Sequence, residues 1–420
     1  GAQIRTVRDL AKAQKAGTGV KALNGLNLSL VETIQNANLR EIAKALSEDP
    51  AVEYVEPDYV RGVSVLPNDP EWKNQYALQK IKAPQAWEKT KGSHSVIVAV
   101  IDTGIDYNHK DLQGNIWKNP GEIPGNRKDD DGNGYVDDVY GWDFANNDNN
   151  PMDGNRHGTH VAGTIAAASD NGLQVAGVAW KTKLVALKFL TDSGWGSVSD
   201  AIDAVAYCTA MDFPISNNSW GGGGSSRAMK DAIDRAAQNG HLFCAAAGNS
   251  GTNNDSRPHY PSSYTSPNVL SVAASDSADR LASFTCYGKT SVDLAAPGVS
   301  ILNLVPNNRV AKLSGTSMAT PHVAGAAALV LSLNPNARFA ELKQALMDSV
   351  DPIQSYKDKM VAPGRLNLLK ALEGYSPNWL SVSPEKGSVA SGKSSRLTFS
   401  IDATKLNAGT KRAIVCFETN

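Results

Sequence analysis

The sequence has little cysteine and little net charge, and each shortage excludes a class of protein. Four cysteines among 420 residues are too few for a disulfide-stapled scaffold, and they permit three complete pairings without favouring one: Cys208, Cys244, Cys286 and Cys416. The 41 basic and 42 acidic residues leave a net charge of −1, and the sequence has no long basic run. A nucleic acid or an anionic membrane is therefore not expected as a partner.

Long hydrophobic runs are also missing. The longest apolar stretches, 96–101 and 324–331, are too short to cross a bilayer, so no membrane span is expected. The chain begins at Gly1 without a charged start and an apolar run, so no secretory signal is visible. Hydrophobic residues are nevertheless plentiful, at 41% against 20% charged, which predicts large buried cores. A length of 420 residues predicts two or three domains.

Both ends of the chain differ from its middle in the secondary structure that their residue pattern predicts. Residues 1–62 predict a small α+β unit, with strands at 26–31 and 52–60 and an amphipathic helix at 38–47. Residues 375–420 predict a short all-β tail, which is too small for a full β-sandwich. The strand-like segments of this tail are 379–382, 395–401 and 412–417.

Between these ends, residues 63–374 alternate short aliphatic runs with helical segments. The runs lack polar alternation, as strands buried on both faces do, and they lie at 96–101, 184–189, 215–218 and 241–246. Helical periodicity separates them at 198–209 and 227–239. This order predicts the α/β fold class with a parallel sheet, in which loops after the strands' carboxyl ends hold the functional residues.

Three segments carry the residues of a nucleophilic catalyst. Asp102 ends a buried strand, His157 opens a Gly- and Ala-containing helix, and Ser317 opens another, with Pro321 expected in its first turn. Serine is a poor nucleophile until a base removes its proton. Histidine can act as that base, and a buried carboxylate fixes the imidazole's tautomer. A serine at a helix N-terminus also has backbone N–H groups beside it that stabilise an oxyanion.

Each segment alone has an ordinary structural interpretation. Asp102 could be a turn residue, and the Gly-Thr-Ser before Ser317 could be a helix cap. His157 and His160 could be metal ligands, but no set of Cys, His and Glu completes a zinc site. All three segments occur together in the order Asp, His, Ser, which favours catalysis. An α/β-hydrolase is excluded because its serine would come first.

These segments closely resemble those of the subtilases, the subtilisin-like and thermitase-like serine proteases, over residues 68–370. The resemblance implies a serine endopeptidase with a three-layer fold around a central parallel sheet. It implies that Asp102 orients His157, that His157 is general base and acid, and that Ser317 attacks the peptide carbonyl. It also implies that Asn249 donates to the oxyanion; a turn residue after glycine is the alternative for Asn249.

The resemblance also places the substrate. Peptide is expected to bind as an added strand between two backbone edges, formed by Gly194, Trp195 and Gly196 on one side and by Ser219, Trp220 and Gly221 on the other. Trp220 is expected in the wall of the S1 pocket, which holds the side chain before the scissile bond, and His259 near its base. We expect this pocket to prefer apolar or aromatic side chains.

One calcium site is predicted by the residues themselves. Oxygen donors recur at positions 1, 3, 5 and 7 with glycine at position 6, as in the first half of an EF-hand loop: Asp129, Asp131, Asn133 and Tyr135. Tyr140 stands at position 12, so Asp137 or Asp138 would close the site. The alternative is a solvated acidic loop.

Two further calcium sites are implied by the resemblance. The first comprises side chains and backbone carbonyls of Asp69, Asp111, Asn171, Ser169, Leu173 and Val175. The second comprises those of Asp143, Asp148, Asn150 and Met152. Two or three structural Ca²⁺ ions and no organic cofactor are therefore expected.

The resemblance finally implies a secreted, monomeric zymogen. Residues 1–62 resemble an inhibitory propeptide that acts on its own chain, with cleavage between Arg61 and Leu66. Polypeptides are the expected substrates. Alternatives are an unrelated N-terminal subdomain, a catalytically silent binding protein on the same fold, and a processing enzyme dedicated to one partner.

Overall fold

The computed structural model describes residues 2–5, 19–23, 28–32, 47–48, 55–57, 66–375, 380–383 and 398–401. The chain forms two compact units, Gly1–Ser64 and Val65–Asn420. The domain boundaries expected after residues 62 and 374 remain predictions.

The first unit contains a four-stranded antiparallel sheet among its described residues. Its strands are β1 (Ala2–Arg5), β2 (Gly19–Leu23), β3 (Leu28–Glu32) and β4 (Val55–Pro57), and their order across the sheet is β2-β3-β1-β4. The predicted strands at 26–31 and 52–60 overlap β3 and β4. No pattern predicted β1 or β2, and the predicted helix at 38–47 lies outside the described residues except for its last residue.

The second unit is built on a nine-stranded sheet. In spatial order its strands are β14 (Asp351–Pro352), β15 (Gly364–Arg365), β11 (Leu294–Pro297), β10 (Val269–Ser275), β9 (Leu242–Ala246), β8 (Ile215–Asn218), β5 (Ile97–Asp102), β7 (Lys183–Lys188) and β6 (Gly141–Asp143). Every pairing is parallel except β14 with β15. A separate hairpin joins β12 (Ile301–Val305) to β13 (Arg309–Leu313).

Helices pack on both faces of this sheet. In the described part of the chain they are α1 (Tyr76–Lys80), α2 (Ala83–Trp87), α3 (His157–Ala166), α4 (Val198–Ala210), α5 (Arg227–Gln238), α6 (Thr316–Leu333), α7 (Phe339–Asp348) and α8 (Leu368–Tyr375). The predicted helices at 198–209 and 227–239 match α4 and α5. Both begin at a serine cap, where Ser197 and Ser226 each accept a backbone N–H.

Alternate residues of β5 point into two different cores, which shows the three layers. Val98 and Val100 pack in the core that contains α3 and α6, whereas Ala99 and Ile101 pack in the core that contains α4 and α5. A strand buried on both faces needs apolar residues throughout, which explains its unbroken aliphatic run. The predicted α/β fold with a parallel central sheet is confirmed.

Helix α6 corrects one expectation about its proline. Pro321 is the sixth residue of α6 and lies inside the helix, not in its first turn. Proline has no N–H for the carbonyl of Ser317 four residues earlier. The hydroxyl of Ser219 donates to that carbonyl instead, at 2.8 Å. The proline is therefore tolerated because a neighbouring loop satisfies the backbone group that it leaves free.

Helix α6 is also the described helix whose length and composition would suit a membrane span. Within the fold 83% of it is buried, as expected for a core helix. The cysteines Cys208, Cys244 and Cys286 are buried and unpaired, and Cys416 lies outside the described residues. In the tail, β16 (Leu380–Ser383) pairs antiparallel with β17 (Thr398–Ile401), near the predicted strands at 379–382 and 395–401, while 412–417 lies outside the described residues.

Candidate active site

Three predicted residues meet at one edge of the sheet. Asp102 is the last residue of β5 and fully buried, His157 is the first residue of α3, and Ser317 is the second residue of α6. The Nδ1 of His157 lies 2.8 Å from Oδ1 of Asp102. A carboxylate can only accept here, so Nδ1 carries the proton and Nε2 is free to act as a base.

The electrostatics of His157 favour its charged form. Burial lowers the pKa of His157, but the charge and hydrogen bond of Asp102, together with the charge of Asp153, outweigh it and raise the pKa overall. A protonated His157 is thereby stabilised.

Ser317 and Ser219 form a reciprocal pair. The hydroxyl of Ser317 donates to the carbonyl of Ser219 at 2.9 Å, while the hydroxyl of Ser219 donates to the carbonyl of Ser317. A hydroxyl carries one proton, so Ser317 must turn away from this carbonyl to donate to His157. Both Ser317 and His157 line the same cavity.

Asn249 is held by its carbonyl oxygen. Its Oδ1 accepts from the backbone N–H of Thr316 at 2.8 Å and from the hydroxyl of Thr316 at 3.0 Å. The amide N–H groups of Asn249 have no acceptor among the described residues, and they lie with Ser317 in the wall of the cavity. An oxyanion at that place would gain a charge-assisted hydrogen bond.

The cavity has a volume of about 540 Å³ and contains all seven predicted substrate residues: Gly194, Trp195, Gly196, Ser219, Trp220, Gly221 and His259. A Cβ on Gly196 would collide with the carbonyl of Phe189, and one on Gly221 with the ring of His259. Glycine is therefore required at both edges. Trp195 is 80% exposed, whereas Trp220 packs its ring 4.7 Å from that of Phe189.

Asp153 is a buried residue of this site that the sequence did not reveal. Its two oxygens accept five hydrogen bonds, from Thr103 Oγ1, Asn155 N, Arg156 N, Thr159 N and Thr159 Oγ1. These bonds join the loop after Asp102 to the start of α3. A carboxylate four residues before His157 was the available signal, because acidic side chains commonly satisfy helix N-termini.

The acidic loop brings together a set of carboxylates that differs from the predicted one. Oxygens of Glu122, Asp129 and Asp131 lie within 4.8 Å of one another. The carboxylates of Glu122, Asp129 and Asp137 accept backbone N–H groups of this loop, and that of Asp138 accepts from side chains of Asn119, Asn133 and Tyr207. Glu122 was not predicted because it precedes the motif, and closure of the site by Asp137 or Asp138 stays a prediction. Clustered carboxylates repel one another unless a cation neutralises them, so this set fits Ca²⁺.

A second acidic pair is buried where α3 ends. Burial raises the pKa of Asp111 to about 6, against hydrogen bonds from Asn171 and Val175 and with the charge of Asp69 adding to it. Oδ1 of Asp69 is buried without a hydrogen-bond partner. Ser169, Leu173 and Val175 lie in the same loop. Such a buried, partnerless carboxylate oxygen beside a second carboxylate fits a cation.

The carboxylates of the third predicted site also accept hydrogen bonds from the protein. Asp143 and Asp148 form a backbone bridge, and both carboxylate oxygens of Asp143 accept from Asn146. The carboxylate of Asp148 accepts from the backbone of Asn150, which precedes Met152 by two residues. Burial raises the pKa of Asp143.

Residues 93–375 match the sequence model of the subtilase family. The chain is 39% identical over 345 residues to the thermophilic serine proteinase of Bacillus sp. (strain AK1), covering 82% of this chain and 78% of that protein. It is 38% identical over 308 residues to thermitase of Thermoactinomyces vulgaris, covering 73% and 99% of the two. A protease structure from Pseudoalteromonas arctica superposes with a TM-score of 0.63 at 28% identity, covering 74% of this chain and 100% of that one. This chain therefore belongs to the subtilase family and is a serine endopeptidase.

Proposed function

We propose that this endopeptidase cleaves peptide bonds through Ser317, His157 and Asp102. The observation that supports this most is the 2.8 Å bond from His157 Nδ1 to Asp102 in the cavity that Ser317 lines. Ser317 turns from the carbonyl of Ser219, gives its proton to Nε2 of His157 and attacks the substrate carbonyl.

The oxyanion that forms is stabilised by Asn249 Nδ2 and by the backbone N–H of Ser317, the second residue of α6, which has no acceptor within the helix. His157 then gives its proton to the leaving amine, and the acyl group stays on Ser317. Water, activated by the same imidazole, releases the acid and restores the serine.

Substrate binds in this proposal as an extended strand between the edges 194–196 and 219–221. The two glycines that tolerate no Cβ, Gly196 and Gly221, support this because a second backbone needs close approach there. The S1 pocket, walled by Trp220 with His259 at its base, takes apolar or aromatic side chains. Burial lowers the pKa of His259, so this ring is neutral at pH 7.

The test is hydrolysis of casein, together with labelling by a serine-directed phosphonate. Ser317→Ala should lose both, whereas Ser314→Ala, which changes an exposed serine three residues away, should keep both. Casein hydrolysis that survives in Ser317→Ala would overturn the assignment. Loss of labelling without loss of hydrolysis would do the same. Absence of any hydrolysis by the unaltered enzyme would favour the catalytically silent alternative, and a peptide library with one sharply preferred sequence would favour a dedicated processing enzyme.

We further propose that the enzyme is secreted and monomeric, stabilised by calcium and made as a zymogen. Subtilases commonly bind calcium, and the carboxylates around Glu122 and around Asp111 support two sites; Asp143 and Asp148 are a weaker third. The compact first unit, residues 1–64, supports a propeptide that acts as an inhibitor. Peptide 1–62 added in trans should inhibit the mature enzyme, and unchanged casein hydrolysis at saturating peptide would contradict this.

A further inference from the structure

A second cavity of about 450 Å³ lies next to the first, and Asn155 lines both. Its walls are the loop 153–156, which leads directly into His157, and the tip of the β12–β13 hairpin at 305–311. The first cavity contains both backbone edges proposed for the acyl part of the substrate. The second cavity adjoins His157, the base that protonates the leaving amine. It therefore lies on the leaving-group side of the scissile bond.

The hairpin wall is held in place. Val305 pairs with Arg309 across a three-residue turn, in which Asn307 and Asn308 have φ angles of 66° and 54°, a left-handed conformation that asparagine tolerates. The backbone N–H of Asn307 donates to Asp106 at 2.9 Å, and the side chain of Asn308 accepts from the backbone of Lys110 at 2.8 Å. Arg309, the first residue after the turn, is thus presented from a fixed backbone.

Two positive side chains and one negative side chain line the cavity. Arg156 and Arg309 both line it and are exposed, and neither has an ion pair among the residues that the structure describes. Asp153 is the one acid in the lining, but it is buried and its oxygens already accept five hydrogen bonds. An incoming carboxylate would meet two guanidinium groups whose fork geometry suits it.

The backbone at Arg156 gives an independent indication. Its φ of 119° lies in the region that favours glycine, so a non-glycine residue is strained there. Strain of this kind persists at functional sites, where the side chain is needed.

We infer that this cavity is a subsite for an aspartate or glutamate side chain within the first three substrate residues after the scissile bond. The inference depends on the proposed catalytic function. The two arginines bind the carboxylate, so substrates that carry an acid at one of these positions are cleaved with a lower KM than their amide counterparts.

The test uses pairs of fluorogenic peptides that differ only by Glu or Gln at one of these three positions. The ratio of kcat/KM for Glu over Gln should reach about fivefold at one position, mainly through KM, and fall with added salt. Arg156→Gly and Arg309→Gln should each bring the ratio towards one, whereas Arg227→Gln, an exposed arginine of α5, should leave it unchanged.

The glycine variant separates binding from structure. Because glycine adopts a positive φ freely, Arg156→Gly should lose the preference for Glu without any fall in Tm. Equal kcat/KM for Glu and Gln at all three positions would overturn the subsite but leave the proposed function standing. A ratio that survives in both arginine variants would also overturn it. Failure to cleave either peptide of every pair would overturn the proposed function itself.

Discussion

The amide of Asn249 is oriented by Thr316, since both donors of that residue hold its oxygen. Asn249→Ala should therefore lower kcat by about 10- to 150-fold, the value of one charge-assisted hydrogen bond, with little change in KM. Steady-state kinetics on a peptide substrate measures this. Thr316→Val, which removes one of the two donors to Oδ1, should have a smaller effect in the same direction. An equal loss in kcat and rise in KM for Asn249→Ala would contradict a role confined to the oxyanion.

In the proposed mechanism, the pKa of His157 sets the acid limb of activity. His157 must be neutral to accept the proton of Ser317, so kcat/KM falls below its pKa, and a raised pKa puts this fall above the ordinary value of 6.5. Asp102→Asn and Asp153→Asn remove charges that raise the pKa, so their residual activity should show the acid limb at lower pH. Asp231→Asn, an exposed carboxylate on α5, should not move it. A limb that stays in place in both variants would show that neither charge reaches His157.

At the scale of elements, α6 and the loop of Ser219 form one structural unit. In an inactive Ser317→Ala background, which prevents self-digestion and keeps the backbone carbonyl, Ser219→Ala should lower the free energy of unfolding by about 1–3 kcal/mol. The reason is that Pro321 has no N–H to donate to the backbone carbonyl of residue 317. Pro321→Ala supplies an N–H, so Ser219→Ala should cost less in its presence. Denaturant unfolding of the four combinations measures the coupling, and strict additivity would disprove it.

The elements that the sequence predicted best are those whose pattern is local. Strand β5 and helices α4 and α5 were predicted within about one residue because an unbroken aliphatic run, or helical periodicity, is visible in consecutive residues. Strands β1 and β2 were not predicted because segments of only four or five residues, even where apolar and polar residues alternate as in Ala2–Arg5, give too short a pattern to identify a strand.

The residues of the candidate site also differ in how well the sequence alone identifies them. Asp102, His157 and Ser317 were identifiable because each stands in a distinctive segment of its own. Asp153 and Glu122 were not, because neither stands in such a segment: Asp153 is marked only by its place four residues before His157, and Glu122 precedes the acidic motif. Similarly, the cavity that contains Arg156 and Arg309 joins residues about 150 positions apart, and no periodicity relates them.

At the scale of the whole molecule, calcium should account for a measurable part of the stability. A site that binds only the folded state contributes about 2.7 kcal/mol at a free calcium concentration 100 times its Kd. A chelator should therefore lower the Tm of the phosphonate-inhibited enzyme by several degrees. Glu122→Gln and Asp111→Asn should each remove part of that shift, whereas Glu373→Gln, an exposed residue of α8, should not. A Tm that is indifferent to the chelator would contradict structural calcium.

Contacts between segments far apart in the chain have a consequence for folding during synthesis. Leu368 at the start of α8 donates its N–H to the carbonyl of Ile81 at 2.8 Å, and β15 completes the sheet beside β11. During synthesis the segment that contains Ile81 leaves the ribosome on the order of tens of seconds before the segment that contains Leu368. Throughout that interval the apolar strands of the incomplete sheet are exposed. Aggregation is therefore expected of the nascent chain and not of the folded enzyme.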